Sequence, residues 1–315
     1  MTYQYLFIVD PLPGLNPKTD TTLALIQEAG RRGIQTYACE ISDIFLNQGQ
    51  LCFMAAPVIL DAGYNTSPTY ERPKQVMSSD EFRVVFMRKD PPIDALFWSA
   101  LLSLRCYNKK RTLMLNNPDG LLVANEKLFG LEIAPQFFPP TLVSSTPELI
   151  HEFINTHKKV VLKPLFGAGG SGVLVFESDD KNIYAALELL SANYSLPIIA
   201  QGYITNAREG DKRILLFGGE PLGAVLRVPR AGDHRANFHA GGVPQAALVS
   251  ARDKEIISVL KPHLLALGLH IVGIDIIDGF LTEINVTSPT CLLEIEQLSG
   301  LQLRKTALDY IEQLI

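Results

Sequence analysis

Gly167-Ala168-Gly169-Gly170-Ser171-Gly172 sits between two short apolar runs, Val160-Val161-Leu162-Lys163-Pro164 and Val173-Leu174-Val175-Phe176. Gly167, Gly169 and Gly172 satisfy G-x-G-x-x-G. A dinucleotide-binding loop of that pattern must open a helix whose N-terminus faces the pyrophosphate. Val173 to Phe176 is strand composition, so the dinucleotide reading fails. No Lys-Ser/Thr pair follows the glycines, which excludes a Walker A loop as well. What remains is a glycine flap joining two strands, with backbone N–H groups around Gly167, Gly169 and Gly170 that can wrap a phosphate chain. Lys163 alternates with Val161 on a strand that otherwise reads as buried, where an unpaired ammonium is costly. An anionic partner removes that difficulty. A surface hairpin with Lys163 snorkelling from an edge strand explains the same residues equally well.

The chain around this flap is long enough for about two domains at 315 residues. Its 28 Lys+Arg against 33 Asp+Glu give a net charge of −5, which argues against a non-specific nucleic-acid binder. With 47% hydrophobic residues, disorder is excluded. Cys39, Cys52, Cys106 and Cys291 are widely spaced, with no C-x-x-C pair, so neither a thiolate zinc site nor a disulfide framework is expected and a reducing compartment fits. The N-terminal apolar stretch lacks a basic leader and reads as a first strand, and no apolar run approaches the ~20 residues of a membrane helix. These features predict a cytoplasmic protein with neither membrane nor nucleic-acid partners.

Strand and helix signals alternate through the first third. Strands are expected to Val9, over 34–39, 82–87 and 112–115. Helices are expected after Asp20, stopping at Gly33, and over about 94–107. Such alternation implies a parallel sheet with helices on both faces. Residues 47–80 show weak periodicity and receive no assignment. Beyond about 125, hairpins join the helices (212–217 with 221–228, 270–277 with 280–286), which reads as α+β. The expected division is 1–124 for an α/β domain and 125–315 for an α+β domain.

Glu283 and Asn285 are two apart on one strand and share a face. Whether Asp275 joins them depends on the turn. With Asp278-Gly279 as a two-residue loop, Asp275 falls opposite Thr282, on the wrong face. A three-residue loop over 277–279 puts it on the face of Glu283, and Gly279 suits the left-handed position such a loop requires. The three-residue turn is therefore expected, with Asp275, Glu283 and Asn285 converging as oxygen ligands for Mg²⁺. A solvated polar face is the alternative. Ser288 and Pro289 read as the N-cap and first residue of a helix. The stretch 229–244 has no periodicity but carries Gly232, Gly241, Gly242, Arg230, Arg235, Asn237, His234 and His239, the pattern of a lid over an anionic substrate. Arg213 and Arg227, on the hairpin that feeds it, could meet a transferred phosphate.

Met87-Arg88-Lys89-Asp90-Pro91-Pro92, Asn125-Glu126-Lys127-Leu128-Phe129, Leu162-Lys163-Pro164-Leu165, Gly210-Asp211-Lys212-Arg213 and Thr282-Glu283-Ile284-Asn285-Val286-Thr287-Ser288-Pro289-Thr290-Cys291 closely resemble the bacterial glutathione synthetases of the ATP-grasp superfamily. The likeness runs in order from the first strand to near the C-terminus. It implies an N-terminal α/β domain followed by an ATP-grasp module of two α+β halves, 125–197 with the flap and 198–315 with the metal site and lid. It also implies ATP-dependent ligation of γ-glutamylcysteine and glycine through an acyl phosphate, with ATP and Mg²⁺ or Mn²⁺, in a homotetramer. Lys127 and Lys163 would hold the α/β phosphates. Gln201, Tyr203 and Ile204 would meet the adenine and Asp211 the ribose. Arg213 would face the γ-phosphate and acyl phosphate, with Arg227 and Arg235 adding charge, and Asn237, Gly241 and Gly242 would close over the nucleotide. Arg88, Asp90, Arg235, Asn237 and Ser288 would lie near the peptide substrate. Phe166 stands where the family flap usually has Asp, and Val243-Pro244 replace Arg-Gly in the lid. A ligase with another acceptor (ribosomal-protein-glutamate or D-alanine type) and a non-catalytic nucleotide-binding protein remain alternatives.

Overall fold

The structure is a computed structural model that describes residues 3–60, 67–167, 169–230, 232, 235–238 and 241–315. Eight strands form the first sheet: β1 (Gln4–Ile8), β2 (Gln35–Cys39), β3 (Ile44–Asn47), β4 (Gln50–Ile59), β5 (Thr69–Tyr70), β6 (Gln75–Ser78), β7 (Val84–Met87) and β8 (Leu113–Leu115). The order is β3-β4-β2-β1-β7-β8, with β5 and β6 paired onto β4. β2, β1, β7 and β8 run parallel.

On β1, Leu6 and Ile8 point to one side and Tyr5 and Phe7 to the other, all buried. Strands apolar on both faces need a cover on each. Helix α1 (Thr21–Arg31) packs with Tyr5 and Phe7, and α2 (Ala95–Leu104) with Leu6 and Ile8, so helices flank the parallel strands as the alternation implied. The Asp20 carboxylate accepts from the Leu23 N–H at 2.8 Å and caps α1, and Gly33 ends the turn beyond it at φ +74°. The unassigned stretch is an antiparallel ribbon, β3 to β6, grafted on β2. Its long strand β4 is buried over Leu51–Phe53 and again over Ala55–Pro57, which erases the alternation a half-exposed strand displays.

Two short helices, α3 (Pro118–Val123) and α4 (Phe129–Ile133), lead to a second sheet of β9 (Thr141–Ser144), β10 (Lys159–Pro164), β11 (Leu174–Glu177) and β12 (Ile198–Gly202). It is antiparallel, in the order β11-β10-β12-β9. Helices α5 (Pro147–His157) and α6 (Ile183–Leu190) supply Ile150, Ile154, Ile183 and Leu187 to a core that this lobe keeps to itself. A division at 198 would assign β12 to the following half, whereas its hydrogen bonds to β9 and β10 tie it to this lobe.

The third sheet comprises β13 (Asp211–Phe217), β14 (Glu220–Val228), β15 (Val243–Ala246), β16 (Ile271–Ile277) and β17 (Phe280–Asn285), in the order β15-β14-β13-β16-β17. Helices α7 (Ala251–Ala266), α8 (Leu292–Ser299) and α9 (Leu303–Gln313) complete the chain. Its two faces merge with the cores of the first sheet. Ile214, Ile274 and Ile284 join the cluster of α2, while Leu215, Val225 and Ile271 join that of α1. Val243 and Pro244 belong to edge strand β15, where a missing N–H is tolerated. Among the described residues no helix is long and apolar enough to cross a membrane.

Candidate active site

The acidic hairpin corrects the turn expected from sequence. Asp278 at φ +48° and Gly279 at φ +77° make a two-residue turn, and Ile277 pairs directly with Phe280. Positive φ at both positions is the type I′ geometry that Asp-Gly favours. The extra residue lies in the ladder instead: Ile276 pairs with Leu281 but Asp275 with Glu283, which leaves Thr282 as a bulge. The Thr282 hydroxyl donates to the Asp275 carbonyl at 3.1 Å and fixes it. The bulge restores the parity that the short turn would have cost. Asp275, Glu283 and Asn285 therefore share a face, with Asn285 Nδ2 donating to Asp275 Oδ2 at 3.3 Å.

Asp275 is buried at the centre of a charge network. Arg213 grips it through Nε to Oδ1 and through Nη2 to Oδ2 at 2.8 Å. Arg227 Nη2 reaches Asp275 Oδ2 at 3.0 Å and also donates to Asp211 Oδ2. Burial works to raise the Asp275 carboxyl, but the two guanidinium groups overcome it and hold the group well below the usual carboxylate range. Asp211 receives less compensation, because Arg213 is committed to Asp275. Burial pushes its carboxyl up to about 6 against the pull of Arg227. Its Oδ1 has no partner.

The lysines approach from the other side. Lys127 Nζ donates to the Gly167 carbonyl of the flap and lies 3.3 Å from Glu283 Oε1. Lys163 Nζ donates to Gln201 Oε1 at 2.9 Å, and Gln201 Nε2 donates to Thr141 Oγ1 at 3.0 Å. Burial pushes the Lys163 ammonium down, although Glu283 opposes it. One cleft is lined by Lys127, Lys163, Gly167, Gly169, Gly170, Gln201, Tyr203, Ile204, Asp211, Arg235, Asn237, Asp275 and Glu283. Flap and lid meet there: a Cβ on Gly170 would stand 2.9 Å from Asn237 Oδ1. Gly241 and Gly242 lie outside the cleft lining and shape the return of the lid, where a Cβ on Gly242 would overlap the Ala236 carbonyl. His234 and His239 lie outside the described residues.

Arg88, Asp90 and Ser288 form a separate group at the C-terminal ends of parallel strands β1 and β7, where sheets of this kind bind ligands. Arg88 Nε donates to Thr22 Oγ1 at 3.0 Å and Nη2 to the Pro289 carbonyl at 2.9 Å. The Asp90 N–H donates to Asp10 Oδ2 at 2.9 Å. Ser288 caps no helix. Its hydroxyl donates to the Arg88 carbonyl at 3.3 Å, and α8 begins only at Leu292, behind Cys291 at φ +92°. The helix start read at Ser288-Pro289 is three residues early, because the chain must first turn back over Arg88.

Sequence reasoning gave no role to Glu126 or Asn116. Glu126 Oε1 accepts from the N–H groups of Val286 and Thr287 at 2.9 and 3.0 Å. Burial, with Glu283 beside it, pushes its carboxyl up. Asn116 donates to the carbonyls of Ile271 and Val286 and accepts from the N–H groups of His270 and Ile271, all within 2.7–2.8 Å. A buried acidic residue next to Lys127 was visible as a signal; a single Asn gave none.

Comparison with known proteins gives two family matches. The N-terminal domain of prokaryotic glutathione synthetase matches residues 3–121, and the ATP-grasp domain of prokaryotic glutathione synthetase matches residues 126–300. A protein of Thermosynechococcus vestitus named glutathione synthetase is 37% identical over 313 residues, 97% of this chain and 98% of that one. One of the same name from Gloeobacter violaceus is 40% identical over 311 residues, 97% and 95% of the two chains. Among solved structures, the D-cycloserine synthetase DcsG superposes with a TM-score of 0.69 at 14% identity, over 98% of this chain and 99% of that one. The ATP-grasp ligase PsnB, complexed with a precursor variant, Mg and ADP, gives 0.62 at 17% identity, over 98% of each. At such identities the structural likeness speaks for the fold alone.

Proposed function

The chain belongs to the prokaryotic glutathione synthetase family, and we propose that it is the ATP-dependent ligase that joins γ-glutamylcysteine to glycine, giving glutathione, ADP and phosphate, the final step of glutathione biosynthesis. The observation that carries this reading is a cleft lined by Lys127, Lys163, Asp275 and Glu283, with Arg213, Arg227 and Asn285 joined to Asp275 from outside its lining. Such a site can neutralise a triphosphate and the charge that moves during phosphoryl transfer.

The donor set fits Mg²⁺, with Mn²⁺ as a substitute: two carboxylates and one amide, all able to offer oxygen. Among the described residues no three His, Cys, Asp or Glu side chains stand within reach of one ion. Asn285 turns its nitrogen to Asp275, so its amide must flip to offer Oδ1. When bound, ATP and the metal supply the phosphoryl group that activates the peptide carboxylate. Lys127 and Lys163 hold the phosphate chain. Gln201, Tyr203 and Ile204 hold the adenine and Asp211 the ribose. Arg213, with Arg227 and Arg235, stabilises the charge on the transferred group and on the acyl phosphate. Asn237 and the lid above it exclude water while the glycine amine attacks. Arg88, Asp90 and Ser288 position the peptide. No nucleophilic side chain is needed; Cys291 is buried, and burial pushes its thiol up.

We place the boundary of the N-terminal unit at 124, and the two ATP-grasp halves after it, divided beyond β12. The cytoplasm suits four free cysteines. A homotetramer is our reading of the assembly, supported by the uncharged outer face of α2, where Leu96, Ser99 and Leu102 are exposed. The deciding experiment is ADP release with γ-glutamylcysteine, with and without glycine, and the product identified by mass. Stimulation by glycine with formation of the tripeptide is expected. Stimulation only by glutamate or D-alanine acceptors would replace the substrate assignment, and no stimulation by any amine would remove the ligase reading.

A further inference from the structure

A second cavity, of about 730 Å³, opens where α1, α8 and α9 meet, and it shares no lining residue with the nucleotide cleft. A space of that size suits a small organic ligand. Five cationic side chains line it: Lys18 ahead of α1, Arg31 and Arg32 at its end, and Arg304 and Lys305 in the first turn of α9. Only two carboxylates line it with them, Glu28 and Glu296. The whole chain carries a net charge of −5, so the cavity is a local reversal of sign.

Both carboxylates are already engaged. Glu28 Oε1 accepts from Arg32 Nε at 3.1 Å, and its Oε2 lies 3.4 Å from Arg31 Nη1. Arg304 takes both oxygens of Glu296, through its backbone N–H at 2.9 Å and its Nε at 2.8 Å. Arg32 also meets Asp309 at 2.8 Å and Glu312 at 3.0 Å, while Arg304 Nη1 donates to Gln27 Oε1 at 2.8 Å. These two arginines fasten α9 to α1 and α8. The other three cations are differently placed. Lys18 and Lys305 are exposed, and their ammonium groups have no hydrogen bond or ion pair among the described residues. Arg31 has only its long contact with Glu28, and its side chain is 74% exposed.

Three cations around one concavity therefore keep a charge that the protein does not answer. Scattered surface lysines are ordinary, but a cleft lined by one sign concentrates its field on whatever enters. The chemistry of the occupant follows from what is left over. Arginine forks match carboxylates, and those of Arg32 and Arg304 are spent on the protein's own groups. The rim that remains is mainly lysine, a point charge suited to phosphate. We propose that this cavity binds a small phosphorylated molecule with at least two negative charges, its phosphates held by Lys18, Arg31 and Lys305. Such an occupant joins the end of α1 to the first turn of α9. None of these residues belongs to the machinery assigned above, so the site does not depend on the ligase reading.

Fructose 1,6-bisphosphate serves as the probe, titrated calorimetrically into the full chain with ADP and Mg²⁺ present to fill the nucleotide cleft. One site is expected, with a Kd on the order of 100 µM at low salt, weakening about tenfold between about 50 and 300 mM NaCl. Lys18→Gln/Arg31→Gln/Lys305→Gln should weaken it by about 30-fold or more. The same variant should keep the ADP affinity and urea midpoint of wild type, because all three side chains are exposed. Citrate is the control for charge alone and should bind at least about tenfold more weakly. No binding to the wild type, or equal binding by the triple variant, would overturn the proposal. Equal affinity for citrate would overturn the assignment to phosphate.

Discussion

The two sides of the nucleotide cleft are built differently. The side with Lys163, Gln201 and the glycine flap is a lobe, β9 to β12 with α5 and α6, whose apolar core, among the described residues, is built from the lobe alone. The side with Asp275, Glu283 and Arg213 is continuous with the N-terminal sheet, since β13 and β16 bury one face against the α2 cluster and the other against the α1 cluster. Polar ties reinforce that continuity. Asn116 spans β8 to β16 and the end of β17, Glu126 holds the strand end at 286–287, and Arg88 holds Pro289. Between lobe and body, Lys127 is a tie through the flap carbonyl of Gly167, backed by its approach to Glu283. A ligand must enter between the two sides, while groups that face moving charge must hold position within a fraction of an ångström. A side built into the body and a lobe with its own core suit both demands.

The largest effect should come from the side built into the body. Asp275→Asn removes the proposed metal donor and unbalances two buried arginines. It should lower kcat by about 1,000-fold or more with a smaller change in the KM for ATP. Near wild-type turnover in a steady-state assay would sink the metal assignment, and a change confined to KM would make Asp275 a binding group like the lysines. Asn116→Ala strips four hydrogen bonds from the buried junction and should destabilise the body by about 3 kcal/mol or more. Urea unfolding checks the loss, and amide exchange checks its reach: protection should fall in β13, β16 and β17 but persist in β10 and β12. Equal loss in the lobe would show the two sides to be one cooperative unit.

How far the sequence announced this contrast differs between the sides. The glycine loop between two strands was legible from the apolar runs on either side of it, though its use was not, since a surface hairpin fitted the same residues; the parallel strands were legible because both faces of β1 are apolar. The acidic hairpin was legible in outcome but not in cause. Parity requires one extra residue, and sequence alone does not say whether it falls in the turn or at Thr282. The start of α8 was misread since Ser288-Pro289 has the local chemistry of a cap, yet Ser288 and Pro289 bond Arg88, some 200 residues earlier. Asn116 and the fusion of the third sheet with the first are contacts between distant segments, and no local period records them.

On the side of the lobe, the effects should be those of binding. Lys163→Met keeps the bulk of the side chain and removes the ammonium. The KM for ATP should rise about 30-fold, with kcat falling no more than about tenfold. A loss borne mainly by kcat would place Lys163 with the residues that act on the transferred group.

The smallest effect tests the seam between the sides. Asp211 opens β13 in the body, and its buried charge acts on Lys163 of the lobe. Its folded-state carboxyl titrates near 6, against 3.8 when exposed. Between those values the folded protein keeps a proton that the unfolded chain releases. This group's contribution to stability is therefore largest below about pH 4, falls as pH rises to 6, and is level above. Asp211→Asn removes that slope and retains an acceptor for Arg227. Relative to wild type, the variant should gain stability on the order of 2 kcal/mol between pH 4 and 7, read from urea midpoints along the pH series. Carboxylates common to both proteins cancel in the difference. Parallel curves would mean that Arg227 and Lys163 together compensate Asp211 in full, which requires the lobe to stay closed on the body without nucleotide. A slope that vanishes only when ATP is added would locate that closure in nucleotide binding.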